Sequence, residues 1–387
     1  MKIGIEGQRI FRKKKHGMDM VALELIKNLQ IIDHENEYFI FVKPDEDSSV
    51  LKETLNFKII ELNGGPYPTW EQIALPKAAK KYGCDVLHCT SNTAPFFTNI
   101  PLITILHDII YMERGYLKIL KSSATAYQKF GNVYRKLVVP RVVKKSKKVI
   151  TVSHFEKNRI AEFFGIKGHT KLDAIYNGVS EHFKPVTNKK ELQRVKEKYN
   201  LPDNYFFFLG NTDPKKNTQG TLKAFSDFLK ETGSDHKLVM LDYDQTELNK
   251  LLVEIKDTNL INHIILTGYV KNTDLPAIYS QCDVFLYPSL RESFGIPMLE
   301  AMSCNVPVIA SNTSSMPEVS GEAAHIINPF NPEEITQGLI EILNNETYRN
   351  SLCHKGLERS KQFSWYNMAK EYLKLYELIH LEHSKEK

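Results

Sequence analysis

Short apolar runs of strand length recur along this whole chain, and segments with apolar residues at helical spacing lie between them. The runs are nearly continuous rather than alternating, as in strands covered by helices on both faces. Such repetition constrains the chain to doubly wound parallel sheets. The longest apolar stretches, Pro101–Leu106 and Val306–Ala310 among them, fall far short of the roughly 18 residues of a membrane span. With 387 residues, one core does not suffice, and two domains are expected.

The first run places strands at Met1–Glu6, Tyr38–Val42, Phe57–Leu62, Val86–Cys89, Leu102–His107, Lys148–Val152 and Lys171–Tyr176. Helices are expected over Met18–Ile32, Trp70–Tyr82 and Ala124–Lys145, the last with a kink or break at Pro140. Ser153 reads as the N-cap of a helix that Gly165 closes. Residues 181–204 are polar and carry Pro185 and Pro202, which marks a boundary. A second run starts at Tyr205–Leu209, continues through Val306–Ala310 and ends in helices over Pro332–Leu343 and Ser364–Leu381. The expected division is therefore 1–182, 183–363 and a terminal helix in 364–387, with Met368, Tyr372, Leu375, Tyr376 and Ile379 on one face. Two doubly wound sheets facing one another leave a cleft at their carboxyl edges, where ligands bind.

Charge differs between the halves. Residues 1–180 carry 28 Lys and Arg against 18 Asp and Glu, and the remainder carries 23 against 28. Basic clusters lie at Arg12–Lys15 and from Arg135 to Lys148. They read either as a solvated face or as a surface that meets anions such as membrane lipid or an acidic acceptor. Nucleic acid is not expected, because no stacking aromatics interleave with the lysines. The five cysteines form no CxxC pair and read as reduced core residues of a cytoplasmic protein, not as metal ligands. The chain opens on a strand, not on a signal peptide.

The most informative stretch runs from Pro288 to Ala310. A strand ends near Tyr287, and a loop with Glu292, Ser293 and Gly295 follows. Pro297 is expected at the first helical position and Glu300 in the first turn. The free amides of Phe294, Gly295 and Ile296 then suit anions and hydroxyl oxygens, and the two carboxylates suit sugar hydroxyls. A second loop, Gly210–Gly220, follows another strand and offers Lys215 and Lys216 before a helix capped by Asn217 or Thr218. A basic pair there forms a diphosphate site.

Glu292 and Glu300, in the setting E-S-F-G-I-P-M-L-E-A-M, resemble the EX7E signature of retaining glycosyltransferases of the GT-B fold, and of glycosyltransferase family 4 (group 1) in particular. The V-P-V-I-A-S run, the S-S-M-P-E-V-S-G run, Thr151–Phe155 and Asn177–Val179 are similar to that family too, so the resemblance covers nearly the whole chain. It departs at Ser293 and Asn305, where the family has glycine; asparagine still tolerates the left-handed conformation of a helix end.

The resemblance implies an acceptor-side first domain, a donor-binding second domain and a terminal helix that crosses back to the first. It implies transfer of a sugar from a nucleoside-diphosphate donor to a hydroxyl of a saccharide or lipid-linked acceptor, with a preference for mannose from a GDP donor. Lys215 and Lys216 are expected to hold the diphosphate and Glu300 the ribose. Glu292, Ser293, Phe294, Gly295, Ile296 and Leu299 surround the sugar, which His107 and Asp108 meet from the other domain. Gly17 would lie near phosphate or acceptor. His107 also reads as an ordinary structural histidine. Asp242-Tyr243-Asp244 spells a metal-binding DxD, but it is read as a strand-end residue and a helix N-cap, so neither a metal nor another cofactor is expected. A UDP-sugar-dependent transferase, a nucleotide-sugar epimerase and a non-catalytic binding protein of the same fold stand as alternatives.

Overall fold

The computed structural model describes residues 1–15, 17–113, 126–167 and 171–385. The chain divides into two compact units, Met1–Asn177 with Trp365–Lys387, and Gly178–Ser364. Each is a parallel sheet covered by helices.

In the first unit, β1 (Lys2–Glu6), β2 (Glu37–Val42), β3 (Phe57–Glu61), β4 (Val86–Cys89), β5 (Leu102–Ile105), β6 (Lys148–Thr151) and β7 (Leu172–Ala174) are ordered 3-2-1-4-5-6-7. The order reverses between β1 and β4, where Ile3 pairs with Val86. Around this sheet lie α1 (Gly17–Ile32), α2 (Leu75–Lys81) and α3 (Ala126–Lys145). Ser153 caps His154–Phe164 by accepting from the Glu156 amide, and Gly165 ends that helix in the left-handed region.

Two local expectations need correction. A π-helical turn, Trp70–Ala74, leads into α2, so the helix there is not uniform. The helix α3 runs through Pro140 without a break. Pro140 faces solvent while Val138, Val139, Val142 and Val143 are buried, so packing outweighs the missing N–H bond. Residues 124 and 125, expected to open this helix, lie outside the described residues.

The second unit contains β8 (Tyr205–Phe208), β9 (Lys237–Met240), β10 (Ile264–Leu266), β11 (Val284–Tyr287), β12 (Val308–Ser311) and β13 (His325–Ile327), ordered 10-9-8-11-12-13. Here the order reverses between β8 and β11, with Phe206 opposite Val284. Two helices matter for the site: α4 (Thr218–Thr232) follows β8, and α5 (Ile296–Ser303) follows β11. The polar stretch read as a boundary contains a helix, Lys189–Tyr199, and another helix, Glu346–Ser360, precedes the terminal one.

The terminal helix α6 (Trp365–Lys385) belongs to the first unit and packs on α1 and β4. Met368, Tyr372, Tyr376 and Ile379 are buried there, with Leu375 at the margin. The hydroxyl of Tyr376 bonds His88 Nδ1 at 2.7 Å, and Tyr372 stacks on the same imidazole. Cys84, Cys89, Cys282 and Cys304 are buried free thiols, and Cys353 is half-buried. No helix among the described residues is long and apolar enough to cross a membrane.

Candidate active site

Open α/β sheets bind ligands where the strand order reverses, beyond the carboxyl ends of the strands. In the second unit that point lies between β8 and β11, and both loops singled out from the sequence leave from it.

The loop after β8 is built by its own side chains. A Cβ on Gly210 would lie 2.3 Å from the Phe208 ring, so only glycine lets the chain leave the strand here. Asn211 Oδ1 accepts from the Asp213 amide, and Asp213 caps a single 3₁₀ turn, Pro214–Lys216. Asn217 then takes the left-handed conformation, φ 58°, at the start of α4. Its side chain does not cap that helix, contrary to expectation. Its Nδ2 donates to the Pro288 and Pro329 carbonyls, which ties the loop to two neighbouring segments.

The loop after β11 is held from both sides. The Leu290 amide donates to the Lys215 carbonyl at 2.7 Å. From the segment after β12, Thr313 Oγ1 donates to the Leu290 carbonyl, and Ser315 Oγ donates to the carbonyls of Glu292 and Phe294. The Ser314 hydroxyl accepts from the Glu292 amide. Gly295 caps α5 with φ 103°, a conformation that strains any side chain.

This frame brings Lys216 and Glu292 together. Lys216 Nζ donates to Glu292 Oε1 at 2.6 Å, with the two side chains 15% and 12% exposed. The same ammonium lies 5.2 Å from the centre of the Tyr287 ring. The acidity of the Tyr287 hydroxyl is suppressed by burial first and then by the nearby carboxylates of Glu292 and Glu300. Both members of the EX7E pair therefore act on one tyrosine. Sequence reasoning missed Tyr287; its only signal was its place at the last position of β11.

Glu300 sits differently. It lies in the second turn of α5, not the first, and Pro297 is the second helical residue, because the helix already begins at Ile296. Glu300 Oε2 accepts from the Tyr279 hydroxyl at 3.1 Å. Burial pushes its carboxyl up to about 7, and the Tyr279 bond opposes only part of that rise. Ser293 and Ile296 are half-buried at the loop, whereas Phe294 directs its ring inward against Phe363 and offers only backbone. Leu299 is fully buried, because its helical position faces the core.

The remaining candidates belong to the first unit. His107 follows β5 and is buried; its amide donates to Asn92 Oδ1 at 2.6 Å. Its Nε2 lies 3.0 Å from the Thr90 carbonyl, which can only accept, so Nε2 carries the proton and Nδ1 is an acceptor. Burial lowers the imidazole below its ordinary range, against the Thr90 bond and the charges of Asp108 and Asp19. Asp108 caps the short turn Ile110–Glu113 through the Ile110 amide. Gly17 opens α1 with open space at the Cβ position and no left-handed backbone, so nothing local requires glycine there. Asp244 is occupied as the N-cap of Gln245–Glu254. Among the described residues, no three His, Cys, Asp or Glu side chains are grouped to hold a metal. Part of the first basic cluster is neutralised, Lys13 by Glu46 and Lys15 by Asp47.

Comparison with solved structures assigns the fold. Sucrose-phosphate synthase from Thermosynechococcus elongatus superposes with a TM-score of 0.75 at 18% identity, covering 98% of this chain and 99% of that one. Anabaena HepE in complex with UDP and glucose gives 0.72 at 16% identity, covering 97% and 99%. The architecture is that of the GT-B glycosyltransferases. Two family models match in succession: Glycosyltransferase Family 4 over residues 16–183 and Glycosyl transferases group 1 over 189–359. The chain belongs to the group 1 glycosyltransferases. Among curated relatives, the Escherichia coli O-antigen chain mannosyltransferase B is 33% identical over 239 residues, 60% of this chain and 61% of that protein. The Salmonella typhimurium O-antigen chain mannosyltransferase RfbU is 30% identical over 253 residues, 64% and 62% respectively. The match to the serotype-specific mannosyltransferase WbdA of Escherichia coli spans only 27% of that longer protein.

Proposed function

We propose that this protein is a retaining, metal-independent glycosyltransferase that moves mannose from GDP-mannose to a hydroxyl of a saccharide or lipid-linked acceptor, in the assembly of a cell-surface polysaccharide. The contact between Lys216 and Glu292 at the reversal point of the second sheet carries this reading. It sets a cation where a diphosphate can reach it and a carboxylate beside it where a sugar would follow. The similarity to O-antigen mannosyltransferases supports the sugar and the pathway class.

The roles follow from charge. As the bond from the sugar's anomeric carbon to the diphosphate breaks, charge develops on the leaving phosphate. Lys216, Lys215 and the amides of Phe294, Gly295 and Ile296 stabilise it in place of a metal. Glu300 accepts from ribose hydroxyls, Glu292 orients the sugar, and His107 Nδ1 accepts from a sugar hydroxyl. The acceptor oxygen attacks the face the diphosphate leaves and passes its proton to the departing phosphate oxygen, which retains the anomeric configuration. No side chain in the second-unit site is assigned as a covalent nucleophile. Work on a lipid-linked acceptor places the protein in the cytoplasm at the inner membrane face, with contact through its basic first unit.

The test is a thermal-shift panel with UDP, GDP, ADP and CMP, with and without EDTA, followed by a product assay with the winning sugar donor. Saturation at about 100 times Kd adds roughly 2.7 kcal/mol. Stabilisation by GDP that ignores EDTA, with a new α-mannoside formed from GDP-mannose, is the expected outcome. Loss of that stabilisation with EDTA would refute metal independence. A changed free sugar nucleotide without a glycoside would make the protein an epimerase.

A further inference from the structure

The crossover from β4 to β5, residues 90–101, carries no helix, unlike the crossovers from β1, β3 and β5 in the same sheet. One position in the helical layer is therefore left open, and an exposed groove of about 1010 Å³ occupies it beside α2. Ile73, Phe96 and Phe97 line it together with Lys77, Lys80 and Lys145. Phe97 is 79% exposed and Ile73 63% exposed, large values for aromatic and branched side chains.

The surroundings continue the same chemistry. On α2 and the π-helical turn before it, Ile73, Lys77 and Lys80 recur at helical spacing on the outer face. On α3, the exposed residues Phe130, Leu137, Arg141 and Lys144 also share one face, and the Arg141 guanidinium caps the Phe96 ring at 5.9 Å. Residues 72–81, 96–101 and 126–145 together hold nine Lys or Arg and no Asp or Glu. The one carboxylate lining the groove, Asp85, is engaged by the Lys2 amide at 2.7 Å. Among the described residues, Lys77, Lys80, Arg141, Lys144 and Lys145 pair with no carboxylate.

From this juxtaposition we infer that the α2–α3 face of the first unit docks on an anionic lipid bilayer, with Phe97, Ile73 and Leu137 entering the interface and the cations meeting lipid phosphates. The inference rests on the membrane contact proposed above and assigns it to particular residues. Apolar side chains interleaved with long cationic ones suit a surface that is apolar below and anionic at its rim. Cations on both α2 and α3, opposed in the groove by Asp85 alone, suit a charged plane better than a partner protein, whose surface mixes signs.

The test uses the full chain with sedimented vesicles of phosphatidylcholine alone or mixed with phosphatidylglycerol. Wild type is expected to bind the mixed vesicles, and high salt should weaken that binding. Lys77→Glu with Lys80→Glu should lower partitioning by at least about tenfold, and Ile73→Ser with Phe97→Ser should lower it at constant charge. Lys189→Glu with Lys190→Glu, exposed in the second unit, is the matched control and should leave it nearly unchanged. Thermal unfolding and the response to GDP should stay at wild-type values in every variant. A wild type with no preference for phosphatidylglycerol would overturn both the membrane contact and this face. A wild type that binds, with both first-unit variants binding equally well, would overturn the face alone.

Discussion

Replacing Glu292 by glutamine should strengthen binding of free nucleoside diphosphate while it nearly abolishes sugar transfer. Lys216 already has a partner, 2.6 Å away and mostly screened from water. Opposite charges so placed attract by several kcal/mol at an effective dielectric of about 20. Desolvation cancels much of that and leaves a net coupling of about 1–2 kcal/mol. A diphosphate must draw Lys216 from that partner. Removing the carboxylate charge therefore returns up to the coupling energy, about tenfold in affinity. Lys216→Met should act in the opposite direction, weakening GDP by about 10- to 100-fold through loss of a charge-assisted contact. The same substitution takes the cation away from the Glu292 carboxylate and should cost about 2 kcal/mol of stability, a fall of about 4–8 °C for a unit of this size. Titration calorimetry with GDP on both variants and on their combination measures these quantities. The gain from Glu292→Gln should shrink when Lys216 is already methionine. A Glu292→Gln protein that binds GDP no tighter than wild type would refute the view that the pair competes with the ligand.

Three further outcomes follow from the same geometry. Glu300 is raised to about 7 by burial, so the native state holds its proton where the unfolded chain does not. Its contribution to stability is full below about pH 4.5 and is lost as pH rises through 7. Glu300→Gln should flatten that part of the melting-temperature profile, while wild-type GDP affinity should rise about tenfold between pH 6 and 8 as the ribose acceptor ionises. Tyr287→Phe keeps the ring beside Lys216 but removes the hydroxyl near Glu292; kcat should fall about tenfold with GDP affinity within about twofold, and an equal loss in both would reduce the tyrosine to packing. Gly295→Ala forces a side chain onto φ 103° and should cost about 1–3 kcal/mol in chemical denaturation, with GDP binding weakened as well.

What the sequence made legible, and what it hid, follows from the range of each interaction. The four inner strands of the second unit, β8, β9, β11 and β12, were readable because each carries a run of buried apolar residues, which the edge strand β13 lacks. Asn305 was readable as a left-handed helix end, and it has φ 63°. The helix Lys189–Tyr199 was hidden because only Val195 and Tyr199 are buried, too few to show a period. Glu346–Ser360 buries Leu352 together with Gly356 and Ser360, which leaves no apolar stripe. The site residues themselves could be chosen from local motifs. Their relations could not: Lys216 and Glu292 are 76 positions apart and meet only because β8 and β11 are neighbours.

That neighbourhood also explains why the site does not depend on long side chains to hold its shape. Asn217 binds the carbonyl of Pro288, Lys215 the amide of Leu290, and Ser315 the carbonyls of Glu292 and Phe294. Each tie engages backbone of the Pro288–Gly295 segment, from the loop after β8 on one side and the segment after β12 on the other. The segment is therefore ordered before a ligand arrives, and binding need not supply that ordering. Side chains left free of this frame, Lys216 and Glu292 foremost, are the ones whose partners can change. The two EX7E carboxylates consequently differ in kind. Glu292 faces a cation that a diphosphate can draw away, and Glu300 faces a hydroxyl and no cation. One carboxylate can thus respond to the phosphates and the other to the ribose, because Glu292 lies on the loop before α5 and Glu300 within the helix.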